Sequence, residues 1–90
     1  MNQVNENLKQ KCEETIAAFQ KLNKEEYSDI QSKLEWCLGS YNYDQNPEGL
    51  FKYSIKSLDT LKKVKTKEPR KVNKKVIDGL EKAILSYNKN

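Results

Sequence analysis

The sequence lacks histidine and is poor in cysteine, glycine and proline. No His occurs among the 90 residues, which excludes Ser-His-Asp and Cys-His catalysis and the most common metal ligand. Two Cys are too few for a zinc site of four cysteines. Three Gly and two Pro leave little room for the turns of a β-sandwich or barrel. We therefore expect a helical protein with no metal and no cofactor.

Two further absences concern location. No apolar run approaches the roughly 20 residues that span a bilayer. The first six residues, MNQVNE, lack the basic start and apolar core of a signal peptide. We therefore expect a cytoplasmic protein that does not insert into a membrane.

Apolar residues recur at helical spacing in four segments, and this pattern predicts helices at about 5–22, 24–43, 47–64 and 74–87. Asn23, Asn46 and Asn73 stand where N-caps are expected. Gly39 makes it uncertain from the sequence whether the second helix is continuous. Short links between four helices predict a single domain, 1–90, folded as a small antiparallel four-helix bundle with up-down-up-down topology.

Each predicted helix has one inner, apolar face. The residues assigned to these faces are Leu8, Cys12, Ile16, Phe19 and Leu22 in the first helix; Tyr27, Ile30, Leu34, Cys37, Leu38 and Tyr41 in the second; Leu50, Phe51, Ser54, Ile55, Leu58, Leu61 and Val64 in the third; and Val76, Ile77, Leu80, Ala83, Ile84 and Tyr87 in the fourth. Cys12 and Cys37 both lie on these faces, so we expect buried thiols that act as small apolar side chains. A disulfide between them would require an oxidising compartment.

Charge is distributed unevenly along the chain. Residues 1–50 contain five Lys and nine acidic residues, whereas residues 51–90 contain twelve Lys or Arg and four acidic residues. Eight cations lie between positions 62 and 75, with Glu68 as the one acid among them: Lys62, Lys63, Lys65, Lys67, Arg70, Lys71, Lys74 and Lys75. We name this set the basic segment. Lys62, Lys63 and Lys65 suit the end of a helix, but Lys74 and Lys75 begin one, where cations are unfavourable.

Three interpretations of the basic segment remain open from the sequence. It forms a solvated face that Glu25, Glu26 and Asp29 partly neutralise from the neighbouring link. It binds nucleic acid through backbone phosphates, with free N–H groups at the helix start contributing. It binds an acidic protein partner, which includes a second copy of the chain.

A second feature is a cluster of aromatic residues around the predicted turn between the second and third helices, at the end of the bundle opposite the basic segment. It consists of Trp36, Tyr41, Tyr43, Phe51 and Tyr53. Trp36 and Tyr43 are seven residues apart and lie off the inner face of their helix. The cluster either closes that end of the core or forms a patch that binds a partner, since exposed Trp and Tyr are common interface anchors.

Catalysis has no support in the sequence. Glu13 with Glu14 and Glu25 with Glu26 are adjacent pairs that point apart on a helix, and neither a phosphate-binding loop nor a Glu-x-x-His motif occurs. The hypothesis is a non-catalytic helical adaptor that acts through protein–protein contacts. Nucleic-acid binding and a structural homodimer are the alternatives, and no small-molecule substrate is evident.

Overall fold

The computed structural model describes residues 3–89, which form four α-helices and contain no strand. The helices are α1 (Gln3–Leu22), α2 (Ser28–Asp44), α3 (Glu48–Lys67) and α4 (Lys74–Lys89), and a 3₁₀ turn, Glu25–Tyr27, precedes α2. None of the helices in this part of the chain is long and apolar enough to cross a membrane.

The helices form an antiparallel up-down-up-down bundle, as predicted. Each helix packs against its two neighbours in a ring, and α4 closes the ring against α1. Contacts near both ends show the antiparallel order. The Lys24 ammonium and the Glu68 carboxylate, from the α1–α2 and α3–α4 links, are 2.9 Å apart. At the other end, the Tyr41 hydroxyl near the end of α2 donates to Glu6 near the start of α1 at 2.7 Å.

The core follows the predicted inner faces, with one clear exception on α3. Leu8, Leu34, Leu61 and Leu80, one from each helix, have no exposed surface. Ile55, however, is 44% exposed, so its assignment to the core is wrong. The buried side of α3 is turned away from Ile55 and includes Ser57, which a search for apolar side chains alone passes over.

Of the three predicted caps, Asn73 is confirmed, because α4 begins at the next residue. Asn46 lies one residue too early, because Pro47 occupies the N-cap position of α3, although the Asn46 side chain still binds the helix start. Asn46 Oδ1 accepts the Glu48 N–H at 3.1 Å, and Asn73 Oδ1 accepts the Lys75 N–H at 2.8 Å. These bonds satisfy N–H groups that a helix start leaves without an intrahelical partner.

The third prediction, that Asn23 begins the second helix, is wrong. Asn23 has φ 48° and its N–H donates to the Phe19 carbonyl at 3.0 Å, so it ends α1 in a left-handed conformation. Asn suits both roles, because it caps helix starts well and also adopts positive φ more readily than most residues. The chain then passes through the 3₁₀ turn, and α2 begins four residues later than predicted and runs unbroken past Gly39.

Candidate functional site

Three cations of the basic segment have partners inside the bundle. Lys62 pairs with Glu81 of α4 at 3.0 Å, and Lys63 pairs with Asp59 one turn earlier on α3 at 3.1 Å. The Lys65 ammonium donates to the carbonyls of Pro69 and Val72 at 2.7 and 2.9 Å. Lys65 therefore holds the α3–α4 link in place, which is a structural role.

The other five cations are exposed and form no ion pair within residues 3–89. They are Lys67, Arg70, Lys71, Lys74 and Lys75. Glu68 lies among them, but its carboxylate pairs with Lys24. The hydrogen bond and charge of Lys24, helped by nearby Lys71 and Lys67, lower the pKa of Glu68. The one acid of the segment is therefore already matched by a cation from outside it.

The acids of the α1–α2 link form no ion pair with the basic segment in residues 3–89, which counts against the interpretation that they neutralise it. Asp29 pairs with Lys33 on its own helix at 3.1 Å. No ion pair in the described part of the chain joins Glu25 or Glu26 to the basic segment. The one ion pair that joins the two links in the described chain has the opposite polarity to that interpretation, because Lys24 supplies the cation and Glu68 the acid.

Two of these five cations, Arg70 and Lys71, line a groove between α1 and the start of α4. It has a volume of about 570 Å³ and is lined by Glu14, Ala17, Ala18 and Lys21 of α1 and by Arg70, Lys71, Asn73 and Val76. We name it the α1/α4 groove. Lys21 was not assigned to this surface from the sequence, because it lies 49 residues before Arg70, and only the packing of α1 against α4 brings the two together.

The aromatic cluster divides into buried and exposed members. Tyr41 is 2% exposed, and burial together with its hydrogen bond to Glu6 raises its pKa to about 12. Its assignment to a partner-binding patch is therefore wrong. Phe51 is half-buried and stacks on Tyr87, with ring centroids 4.5 Å apart. Tyr53 is also half-buried, and the Lys52 and Lys56 ammoniums lie 5.7 and 5.2 Å from its ring.

Trp36 and Tyr43 lie on the solvent side of α2. Trp36 is 74% exposed and Tyr43 is 92% exposed, so neither closes the end of the core. Seven residues of helix separate their Cα atoms by about 10 Å on one face. Gly39 lies between them, and a Cβ added there would meet no atom within 4 Å. We name Trp36, Gly39 and Tyr43 the α2 outer face.

The thiols of Cys12 and Cys37 are free and buried, as predicted. Burial, with smaller contributions from Cys37 and Glu13, raises the pKa of Cys12 to about 12, and burial also raises the pKa of Cys37. Thiols of this kind are poor nucleophiles, because the thiolate is the reactive form. Residues 3–89 contain no group of three or more Cys, Asp or Glu side chains arranged to hold a metal ion.

Comparison with known proteins finds no counterpart: no protein-family model, no curated protein and no solved structure matches the chain.

Proposed function

We propose that this chain is a non-catalytic module that binds a protein partner through the α2 outer face. The observation that carries the proposal is the exposure of Trp36 and Tyr43, at 74% and 92%. Large aromatic side chains each bury roughly 150–250 Å² when covered, and Trp and Tyr are enriched among the residues that dominate binding energy. Two such anchors on one helix face fit a protein surface.

Gly39 supports the same face. A glycine inside a helix costs about 1 kcal/mol relative to alanine, and nothing within the bundle occupies the space beside it. The gap between the two rings lets a partner approach the α2 backbone closely. A second copy of this chain is one form that the partner can take, and it corresponds to the homodimer alternative.

Nucleic-acid binding draws its support from the five exposed cations. Trp36 and Tyr43 are poorly placed to stack on the bases of a nucleic acid bound there. They lie eight and fifteen residues beyond the first residue of α2, which is about 12 and 22 Å along the helix. The basic segment lies near the start of α2, at the end of the bundle that holds the α1–α2 and α3–α4 links. Stacking requires rings beside the basic surface. We therefore place protein binding first.

We also propose that the protein works in a reducing compartment such as the cytoplasm. Both thiols are free and buried in the core, and free thiols are typical of proteins from reducing compartments.

Trp36 offers a direct test because it is the one tryptophan of the chain, so its fluorescence reports on the α2 outer face alone. Wild-type protein and a Trp36→Ala/Tyr43→Ala variant are used as bait for partner capture, with Gln20→Ala, an exposed change on α1, as the matched control. We expect partners to bind the wild type and the control but not the double variant. Each partner, added back, then shields Trp36 from acrylamide quenching.

Sedimentation of the protein alone separates self-association from binding of another protein. The proposal fails if all three baits retain the same proteins and Trp36 remains fully quenchable at every protein concentration.

A further inference from the structure

A second surface, the α1/α4 groove, lies outside the α2 outer face and has its own chemistry. Its floor is small and apolar: Ala17 is exposed, and Ala18 and Val76 are half-buried. Small side chains let another backbone approach closely, and Val76 offers apolar surface to whatever lies over it. This floor favours a ligand with an apolar face of its own.

The rim of the groove is basic and has few internal partners. Lys21, Arg70 and Lys71 form no ion pair within residues 3–89. Glu14 is the one acid in the lining, and it is already paired with Lys11 at 3.3 Å. The groove therefore offers three unmatched cations around an apolar floor, and the charge complementary to them is negative.

A second depression of about 440 Å³ is lined by Asn7 and Lys11 of α1 and by Lys75, Asp78, Gly79 and Lys82 of α4. Gly79 lies against the Lys11 stem, since a Cβ added there would be 3.3 Å from that side chain. The two depressions together run from position 7 to position 21 of α1, about 21 Å.

We propose that the α1/α4 groove binds an acidic amphipathic helix of a partner protein. A helix of about 14 residues matches the combined length of the groove and the second depression beside it. Its apolar face would cover Ala17, Ala18 and Val76, and its acidic residues would meet the unpaired cations of the rim. This is the helix-in-groove mode of recognition, with specificity supplied by charge complementarity.

Two features make a protein helix a better occupant than nucleic acid. An apolar floor gains nothing from a phosphate backbone, which has no apolar face to bury. Glu14 also places a carboxylate inside the lining, where phosphates would be repelled but an amphipathic helix can turn an uncharged side toward it.

The test uses three labelled probes and measures binding by fluorescence anisotropy. The first is a designed 14-residue helical peptide with leucine on one face and glutamate on the other. The second has the same composition in a scrambled order without an amphipathic face, and the third is a short DNA duplex. We expect the amphipathic peptide to bind most tightly and to shift the amide resonances of Ala17, Ala18 and Val76 in NMR spectra.

Two variants locate the binding. Arg70→Glu/Lys71→Glu replaces two exposed rim cations, and we expect roughly tenfold weaker peptide binding. The matched control, Lys52→Glu/Lys56→Glu, makes the same charge change on α3 beside Tyr53 and should alter binding by about twofold or less. Ala18→Gln fills the floor without changing charge, and it should weaken binding of the amphipathic peptide but not of DNA.

Four outcomes would overturn the proposal. Equal binding of the scrambled and amphipathic peptides would leave only a surface that attracts polyanions. Tighter binding of DNA would assign the groove to nucleic acid. Resonance shifts at Ala17, Ala18 and Val76 when the protein alone is concentrated would assign it to a second copy of the chain. Absence of any peptide binding at low salt would remove the site.

Discussion

Tyr41 and Tyr43 lie two residues apart on α2 and have opposite environments. Tyr41 is 2% exposed and its hydroxyl donates to Glu6, whereas Tyr43 is 92% exposed. Two residues along a helix correspond to a rotation of about 200°, so one tyrosine faces the core and the other faces solvent. A cluster of aromatic residues in the sequence is therefore two sets of residues in the structure: one that packs in the bundle and one that is exposed to solvent.

We expect the largest change in the free energy of unfolding from a substitution on the inner face of α2, at Leu34, which has no exposed surface. Leu34→Ala should lower the free energy of unfolding by about 3 kcal/mol, because it leaves a cavity among packed side chains. Trp36→Ala, two residues away on the outer face, should change it by no more than about 0.5 kcal/mol. Urea unfolding followed by far-ultraviolet circular dichroism measures both. Similar losses in the two variants would mean that the outer face also contributes to the core.

Tyr41 should also make the stability dependent on alkaline pH. Its pKa is raised from 10.0 to about 12 in the folded protein, so the folded state keeps a proton that the unfolded state loses. This contribution is fully present below pH 10 and is lost as the pH rises toward 12, by about 2–3 kcal/mol. In Tyr41→Phe that part of the decline should disappear, whereas at pH 7 the variant should lose about 1–2 kcal/mol with its hydrogen bond to Glu6.

Urea unfolding at several pH values from 8 to 12 provides the measurement. Cys12 contributes to the same window, since its pKa is also raised to about 12, so the informative quantity is the difference between wild type and Tyr41→Phe at each pH. A difference that stays constant across the window would show that Tyr41 does not titrate differently in the folded and unfolded states.

Gly39 and Gly49 differ in the space available for a side chain. A Cβ at Gly39, on the α2 outer face, meets nothing within 4 Å, whereas a Cβ at Gly49 of α3 would lie 3.1 Å from Cys37 Sγ. Neither glycine has positive φ. Gly39→Ala should therefore stabilise the protein by about 1 kcal/mol, and Gly49→Ala should gain less or lose stability. Thermal unfolding of the two variants tests this, and an equal gain in both would contradict the close approach of α3 to Cys37.

The fold was predictable from the sequence because most buried positions are apolar and repeat at helical spacing. The errors have local causes. Ile55 is apolar but faces away from the buried side of α3, whereas Ser57 is polar but buried. A prediction from hydrophobicity alone therefore assigns both residues to the wrong side. Asn23 suits both a helix start and a helix end, and only the backbone φ distinguishes the two.

The candidate surfaces were predictable only in part. The spacing of Trp36 and Tyr43 placed them together off the inner face of α2, where both are exposed. The spacing did not predict the α1/α4 groove, because Lys21 and Arg70 come together through packing between distant segments. Nor did residue type separate Lys65, which bonds two link carbonyls, from Lys67, which has no such partner in the described chain.

The smallest effect concerns the start of α4, which resembles the α2 outer face in carrying side chains without a partner inside the bundle. Lys74 is exposed, forms no ion pair within residues 3–89 and occupies the first residue of α4, where the helix dipole disfavours a cation. Lys74→Glu should stabilise the free protein by about 0.3–1 kcal/mol, which corresponds to a rise in Tm of roughly 2–6 °C.

The matched control is Lys63→Glu near the end of α3. It makes the same charge change but removes the pair with Asp59 and opposes the dipole, so its Tm should fall. A fall in Tm for both variants would mean that Lys74 stabilises the protein through contacts in solution. The start of α4 would then differ from the α2 outer face, whose exposed side chains have no such role in stability.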